Sequence, residues 1–229
     1  QIEFDLVVMD EASQIKPQDA LGAIGRGAQL VVVGDPKQLP PTSFFDRIVD
    51  ADDDDLWAIE ESESILDATL PMFRARRLRW HYRSQHESLI AFSNHAFYGS
   101  DLVLFPSPHK RTEEYGVQYS RVPRGCFVNR RNMEEAKIIS DAVREHFRRR
   151  PEETLGVVAM SSEQSQQIER AIETLAKEDL EFRRQLDQDA TRSGALFVKN
   201  LENVQGDERD VIFVSMTYGP IEPGGRVYQ

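Results

Sequence analysis

Two observations predict an α/β fold, in which parallel β-sheets are flanked by helices. First, five short apolar runs lack the alternation of polar and apolar residues that marks a half-exposed strand, and such runs are typical of strands covered on both faces of a parallel sheet. These runs are residues 6–9, 30–33, 155–160, 195–198 and 211–216. Second, helical patterns lie between the runs, and the alternation of strand, helix and strand is the pattern of α/β proteins.

Three helices are predicted from pairs of residues that cap a helix N-terminus. The pairs are Ser84 with Glu87, Asn132 with Glu135, and Ser161 with Gln164. Apolar residues then recur at helical spacing, namely Leu89, Phe92 and Ala96 in the first helix, Ala136, Ile139, Val143 and Phe147 in the second, and Ile168, Ala171, Ile172 and Leu175 in the third. Gly99 is expected to end the first helix, and three arginines followed by Pro151 are expected to end the second.

The remaining stretches indicate two domains. An acidic segment at residues 50–64 is followed by a short helical pattern, and we expect a domain boundary at residues 73–77. The predicted domains are therefore residues 1–73 and 74–229. The polar stretch RRQLDQDATRSG at residues 183–194 is expected to be a mobile connection. Because the chain starts just before a strand and stops in a Gly- and Pro-rich stretch, we expect it to be part of a longer protein.

The composition is that of a globular protein that does not hold nucleic acid by its overall charge. Apolar residues make up 40% and charged residues 29% of the chain, and its net charge is -11. Two basic stretches, residues 74–83 and 121–131, nevertheless suit a phosphate backbone, although charged runs are more commonly solvated loops. No apolar stretch reaches the roughly 20 residues of a membrane span, and no signal-peptide pattern begins the chain. The single Cys126 fits a reducing compartment, so we expect a cytoplasmic protein.

Two acidic residues follow the first apolar run, in the sequence FDLVVMDEASQ. Asp10 is expected at the carboxyl end of a parallel strand, where the ligands of such sheets bind. One carboxylate, together with water and substrate phosphates, suits Mg²⁺, so Asp10 is a candidate ligand for a metal bound to ATP. Glu11 is a candidate for orienting or deprotonating an attacking water. Acids at such a turn are also frequent as helix caps, and this pair alone leaves both interpretations open.

A second apolar run leads into the sequence GDPKQLPPT at residues 34–42. Gly34 allows the backbone to approach another group closely, and the prolines stiffen the loop. Gly34 and Asp35 are candidate nucleotide-binding residues, and the Gln38 amide is a candidate contact of the γ-phosphate. An ordinary proline-rich turn is the alternative, but two such loops leaving neighbouring strands at one edge argue against it.

Two later stretches carry further candidates. In LRWHYRS, apolar residues alternate with basic ones, so an extended strand is expected to bury Leu78, Trp80 and Tyr82 and to present Arg83. The Arg83 guanidinium is a forked donor suited to phosphate, and a surface ion pair is the alternative. In NVQGDERDVIFVS, Gly206 is expected to form a tight turn before a strand, and the charged residues around it alone would indicate a solvated turn.

Taken in order, MDEAS, GDPKQLPPT, RWHYRS and NVQGDERDVIFVS resemble the motifs of superfamily 1 helicases. The resemblance covers nearly the whole chain and points to the branch that contains the nonsense-mediated-decay helicase and the Okazaki-fragment helicase-nuclease, especially its bacterial members. It implies two RecA-like domains of the P-loop NTPase fold, both incomplete in this chain. It further implies ATP and Mg²⁺ as cofactors, single-stranded DNA or RNA as the partner, and movement in the 5′-to-3′ direction.

The resemblance also implies a role for each candidate residue. Asp10 would hold Mg²⁺, and Glu11 would activate the attacking water. Gln38 would couple the γ-phosphate to the nucleic-acid site, and Arg83 would reach the same phosphate from the second domain. The second-domain residues expected to line this cleft are Gln205, Gly206 and Glu208.

The phosphate-gripping sequence G-x-x-x-x-G-K-[ST] does not occur in the chain. The helicases that it resembles carry this loop upstream of the metal-binding strand, and a last arginine motif downstream of the QGDE segment. We therefore expect this chain by itself to be inactive as an ATPase. Two alternatives to a helicase stay open, namely an NTPase that remodels protein–nucleic-acid complexes without unwinding and a catalytically dead interaction module.

Overall fold

The structure of the chain is a computed structural model. It describes residues 2–41, 64–108 and 115–226. The chain divides into two compact units, Gln1–Tyr119 and Ser120–Gln229, and each is described by itself. Both units contain parallel strands and helices, so the predicted α/β fold is confirmed. The domain boundary at residues 73–77 stays a prediction, and the acidic stretch at residues 50–63 lies outside the described residues.

In the first unit, a helix joins two short parallel strands. The elements are β1 (Val7–Met9), α1 (Pro17–Ile24) and β2 (Leu30–Val32), followed by a short helix, α2 (Ile65–Thr69). β1 and β2 pair with Val7 opposite Leu30 and Met9 opposite Val32. The buried side chains that hold these elements together are Met9, Ala12, Ala20, Ile65 and Leu66. Their removal from water contributes about 25 cal/mol per Å² of apolar surface.

The opposite face of this strand pair is exposed over the described residues. Val8 and Val31 lie side by side on that face, and their exposed fractions are 59% and 44%. Over the described residues, the prediction that both strands are covered on both faces is therefore wrong. The physical reason is that successive strand residues point to opposite faces. In the part of the chain that the structure describes, the core with residues of α1 and α2 forms on the face of Met9 and Val32.

The segment that contains RWHYRS forms a second, smaller parallel pair in the first unit. Its elements are β3 (Trp80–His81), α3 (Ser88–Phe97) and β4 (Val103–Leu104). Leu78, Trp80 and Tyr82 are 84%, 70% and 87% exposed, so the prediction that they are buried is wrong. The strand is only two residues long, and the Trp80 indole contacts the ring of Phe105 at a centroid separation of 5.5 Å.

The predicted capping role of Ser84 is also wrong, because α3 begins only at Ser88. The Ser84 hydroxyl bonds instead to the Nε2 atom of His81 at 2.7 Å, and the Ser84 N–H donates to the same nitrogen at 3.2 Å. His81 therefore closes the turn that follows β3. The predicted end of the helix is confirmed, since Gly99 follows the last residues of α3 with a φ of +62° that suits glycine.

The second unit contains a three-stranded parallel sheet in the order β6–β5–β7. Its elements are α4 (Met133–Arg149), β5 (Leu155–Ala159), α5 (Ser162–Glu178), α6 (Leu180–Asp189), β6 (Phe197–Asn200) and β7 (Val211–Ser215). The central strand β5 is buried along its whole length, as the sequence predicts. In β7, by contrast, Ile212 and Val214 are 41% and 52% exposed, so coverage on both faces is wrong for this strand over the described residues.

The helices α4 and α5 begin where the sequence predicts. The Asn132 side chain accepts a hydrogen bond from the Glu135 N–H at 3.2 Å, and the Ser161 hydroxyl accepts one from the Gln164 N–H at 3.2 Å. The predicted core residues that are buried are Ala136, Ile139, Val143, Phe147, Ile168 and Ile172. These two helices supply most of the apolar core of the second unit, together with β5.

The predicted mobile connection at residues 183–194 is wrong, because most of it belongs to helix α6. Asp179 caps this helix by accepting the N–H groups of Glu181 and Phe182 at 3.1 and 3.0 Å. Phe182 is 1% exposed and packs in the core, and Leu186, one helical turn later, packs against the same core, so these two side chains dock a helix that is otherwise mostly polar. The helical signal is short, because only these two apolar residues that reach the core, four positions apart, stand among polar and charged ones.

Among the described residues, no helix combines the length and the apolar character needed to cross a membrane.

Replacing Phe182 by alanine tests this docking. We expect Phe182→Ala to lower the free energy of unfolding of the second unit by about 3–5 kcal/mol, because it empties a buried aromatic site. Leu180→Ala, in the same helix but at a residue that is 72% exposed, is expected to change it by less than about 0.5 kcal/mol. Equilibrium urea denaturation measures both. Equal, small effects would contradict the docking of α6.

Candidate functional site

A turn with two carboxylates follows β1 in the first unit. Asp10 is exposed at the end of the strand, and its Oδ1 atom accepts the N–H of Glu11 at 2.9 Å. Glu11 has a φ of 51° and a ψ of 38°, the left-handed region that residues other than glycine rarely adopt. Such a backbone costs on the order of 1–3 kcal/mol and persists only where its surroundings hold it. This strain marks the turn as a candidate functional site.

The loop that follows β2 is hydrogen-bonded to this turn. The Ala12 N–H donates to the Val33 carbonyl at 2.9 Å, and the Val33 N–H donates to the Met9 carbonyl at 2.7 Å. Gly34 then lies so close to the turn that a Cβ atom there would be 3.1 Å from the Ser13 nitrogen and 3.2 Å from the Ala12 nitrogen. The two loops therefore meet at the carboxyl edge of the β1–β2 pair, where ligands of parallel sheets bind.

Asp35 organises the rest of the second loop. Its Oδ1 atom accepts the N–H of Lys37 at 2.9 Å, and its backbone carbonyl accepts the N–H of Gln38 at 3.1 Å. Its Oδ2 atom accepts the hydroxyl of Tyr98 at 2.5 Å. Burial from water, followed by the hydrogen bond to Asp35 and its negative charge, raises the pKa of the Tyr98 phenol to about 12. The phenol is thus a neutral donor at physiological pH.

The two carboxylates of the first turn fit a metal ion that is held mainly by water and by the phosphates of a bound substrate. Within the described ranges, no group of three or more His, Cys, Asp or Glu residues is arranged to hold a metal ion. A site built wholly from protein side chains is therefore not found there. Mg²⁺ commonly takes only one or two carboxylates and fills its other positions with water and substrate phosphates. The exposed carboxylate of Asp10 suits that kind of site.

Arg83 lies in the first unit, on the exposed turn between β3 and α3. The turn is held by the bonds between His81 and Ser84, so the backbone that carries the arginine is fixed on both sides. A surface hollow lies beside it and is lined by His81, Tyr82, Ser84, Glu87, Ile90, Leu104 and Phe105. Arg83 is therefore an exposed residue on an ordered turn.

Gln205, Gly206 and Glu208 lie in the second unit, between β6 and β7. Gly206 has a φ of +87°, and the Asp207 N–H donates to the Val204 carbonyl at 3.0 Å, which confirms the predicted tight turn. The turn is not merely solvated, because the Lys199 ammonium pairs with Asp207 at 2.5 Å. Contacts from the next residues, Arg209 to the Ala195 carbonyl and Asp210 to Thr154, fix the turn further.

The candidates thus divide into three groups. The first unit brings Asp10, Glu11, Gly34 and Asp35 together, with Gln38 on the same loop. Arg83 lies on a separate turn of that unit, and the third group, Gln205, Gly206 and Glu208, lies in the second unit.

Sequence reasoning missed Tyr98, because its bond to Asp35 spans 63 residues. It also missed a buried polar network in the second unit. Gln164, which is fully buried, receives the Asn132 N–H at 2.8 Å and donates to the Ser215 hydroxyl at 3.2 Å. Glu135 accepts the Ser215 hydroxyl at 2.9 Å and the Thr217 N–H at 3.2 Å. The capping pattern identified Glu135 and Gln164, but nothing local indicates their distant partners.

Comparison with known proteins assigns the family. A family model described as an AAA domain matches residues 62–219 of the chain, and a second model of the same description matches residues 1–45. The chain belongs to the AAA domain family. Its parallel sheets and flanking helices accord with the P-loop NTPase-like fold of this AAA domain family.

Three curated proteins are similar to this AAA domain chain. The "uncharacterized ATP-dependent helicase MG140 homolog" of Mycoplasma pneumoniae is 34% identical, and the "uncharacterized ATP-dependent helicase MG140" of Mycoplasma genitalium is 32% identical. Each alignment covers 97% of this chain and 21% of the relative, so the chain spans about a fifth of their length. The "uncharacterized ATP-dependent helicase MJ0104" of Methanocaldococcus jannaschii is 30% identical over 44% of this chain and 14% of its own. These similarities support a helicase-type family.

The close approach of Gly34 to the first turn is testable by adding one methyl group. We expect Gly34→Ala to destabilise the first unit by about 1–3 kcal/mol, because its Cβ atom overpacks against fixed backbone. Gly22→Ala is the matched control, since a Cβ at Gly22 meets nothing within 4 Å and alanine favours the helix α1 by about 0.5–1 kcal/mol. Thermal melts of the two variants should move in opposite directions. A neutral Gly34→Ala would contradict the described packing.

Proposed function

We propose that this chain is part of an ATP-dependent superfamily 1 helicase that hydrolyses ATP between two RecA-like domains and moves along single-stranded nucleic acid. In this proposal, residues 1–73 belong to the first domain and residues 74–229 to the second. The observation that carries it is the meeting of the Asp10–Glu11 turn with the Gly34 loop at one edge of a parallel strand pair. The names of the relatives, each an ATP-dependent helicase, support it.

The first turn would carry the chemistry of hydrolysis. Asp10 would hold Mg²⁺, which neutralises charge on the ATP phosphates when it is bound. Glu11 would orient the attacking water and accept its proton while the water oxygen bonds to the γ-phosphorus and the bond to the β–γ bridging oxygen breaks. The left-handed backbone of Glu11 supports this role, because strained residues cluster where a side chain must point in one required direction.

The second loop would sense the nucleotide. Gly34 and Asp35 would contribute to the nucleotide-binding edge, and the Gln38 amide would contact the γ-phosphate and register its loss. The turn that Asp35 closes onto the Lys37 and Gln38 amides supports this, because it fixes the backbone that carries the glutamine. The same loop would pass the state of the nucleotide to the nucleic-acid site.

Arg83 would stabilise charge on the transferring phosphoryl group. Its guanidinium offers a forked donor for phosphate oxygens, and the ordered turn that carries it supports a fixed direction of approach. Gln205, Gly206 and Glu208 would line the cleft from the second domain. The ion pair between Asp207 and Lys199 supports that role, because it holds their turn rigid.

The finer parts of the proposal rest on the sequence resemblance. They are a place in the branch of the nonsense-mediated-decay helicase and the Okazaki-fragment helicase-nuclease, and 5′-to-3′ movement. A cytoplasmic location is proposed instead from the single Cys126, which fits a reducing compartment. An NTPase that remodels complexes without unwinding is the alternative enzyme, and strand displacement by the full-length protein separates the two. A dead interaction module is the alternative without activity, and absence of the phosphate-binding lysine from the full-length sequence would favour it.

Glu11→Gln tests the water-activating role in the full-length protein. The amide is nearly isosteric with the carboxylate but does not take up a proton, so ATP should still bind while the hydrolysis rate falls by about 10²–10⁴-fold. The measurements are nucleotide binding by fluorescence titration and steady-state ATPase rate. Glu3→Gln, at an exposed glutamate outside the turn, is the control and should retain full turnover. A Glu11→Gln rate within a few-fold of wild type would rule out this role.

Arg83→Ala tests the charge-stabilising role. An arginine supplied to a transferring phosphoryl group is typically worth about 10³–10⁵ in rate, with a smaller effect where a second arginine shares the task. We therefore expect a large fall in the maximal nucleic-acid-stimulated rate and a small change in ATP binding. Arg83→Lys should restore little, because an ammonium lacks the planar fork. A surface ion pair predicts instead normal turnover and at most about 1 kcal/mol of lost stability; ATPase kinetics with thermal melts distinguish these outcomes.

A further inference from the structure

The hydrogen bond between Tyr98 and Asp35 joins two segments of the first unit that belong to different sequence motifs. Asp35 belongs to the GDPKQ loop after β2, and Tyr98 ends the helix α3 that follows RWHYRS. The phenol oxygen lies 2.5 Å from Asp35 Oδ2. A neutral donor to a carboxylate at this distance is a charge-assisted hydrogen bond, about twice as strong as a bond between neutral groups.

Tyr98 is itself held in place from its other side. The guanidinium of Arg77 lies over its ring, 5.8 Å from the centroid, and also donates to the Tyr98 carbonyl at 3.4 Å. Arg77 pairs in turn with Asp101 at 3.6 Å. The tyrosine is therefore contacted on both sides, by Arg77 at its ring and carbonyl and by Asp35 at its hydroxyl.

The group that it restrains sets the shape of the loop. The second oxygen of the Asp35 carboxylate accepts the Lys37 N–H, and the Asp35 carbonyl accepts the Gln38 N–H. One carboxylate thus receives the phenol on one side and closes the turn on the other. Loss of the phenol contact would leave the Asp35 side chain free to rotate away from the Lys37 amide, and the turn that carries Gln38 would loosen.

We propose that Tyr98 is a positioning residue, which holds the Asp35 carboxylate so that the loop of residues 34–38 presents Gln38 in one orientation. This inference rests on the proposed function for its catalytic consequence, but the restraint on the loop does not. Tyr98 touches neither the nucleotide nor the reacting atoms in this scheme. It connects the proposed γ-phosphate-sensing loop to the C-terminal end of α3, the helix that follows the turn carrying Arg83.

The restraint is tested directly by amide hydrogen exchange in the full-length protein. Tyr98→Phe removes one oxygen atom and keeps the ring. We expect exchange in a peptide spanning residues 34–38 to become about tenfold faster, the factor that roughly 1.4 kcal/mol of lost protection gives. Tyr119→Phe removes the same atom from a tyrosine that is 81% exposed and is the control. Unchanged exchange in Tyr98→Phe, or an equal change in the control, overturns the proposal.

The catalytic consequence is tested by the steady-state kinetics of the same variants. A positioning role predicts that Tyr98→Phe lowers the nucleic-acid-stimulated kcat by about tenfold, with KM for ATP within about twofold of wild type and the melting temperature unchanged. Faster exchange with normal kcat in an active protein overturns the positioning of Gln38. If the wild-type protein hydrolyses no ATP, the proposed function fails, and the exchange result still decides whether Tyr98 holds the loop.

Discussion

The hydrogen bond from the Ala12 N–H to the Val33 carbonyl is the constraint on which the candidate site depends. The bond from the Val33 N–H to the Met9 carbonyl continues the β1–β2 ladder past the strands, and the Ala12 bond then ties the turn after β1 to the same Val33, so the two loops leave the sheet together. The approach is so close that a Cβ atom at position 34 would press on the backbone of residues 12 and 13, and its neighbours would have to shift by a few tenths of an ångström. Everything else at this edge follows from it, since Asp10 and Glu11 stand on one of these segments and Asp35 and Gln38 on the other.

The sequence predicted features that depend on neighbours in the chain and missed those that depend on distant contacts. The caps of α4 and α5, the buried strand β5 and the turn at Gly206 follow local rules, and the structure confirms them. Helix α6 packs on the core through Phe182 and Leu186, a pair too short to stand out as a periodic pattern among polar residues. Ser84 has the right spacing for a cap, but its hydroxyl forms a hydrogen bond with the nearby His81 ring instead. The partner of Asp35 lies 63 residues away and has no local signature.

The second unit is organised by polar contacts as much as by its apolar core. Glu135 and Gln164 lie in the first turns of two long helices, and both reach the end of β7 through Ser215. Thr217 is fully buried there with a φ of 64°. Its N–H bonds to Glu135, and its carbonyl accepts the Asn132 amide at 3.3 Å. A satisfied buried network of this kind fixes the path of the chain as it leaves the sheet.

The left-handed backbone at position 11 also influences which substitutions this position accumulates during evolution. Glycine or asparagine would adopt that conformation at less cost than glutamate, so random substitution and selection for folding alone would remove the acid. A lineage that keeps Glu11 therefore accepts a less stable fold, and one freed from the need for its carboxylate gains stability by losing it. If selection for the carboxylate were relaxed, replacement of Glu11 would therefore be among the first changes visible in descendants of this gene.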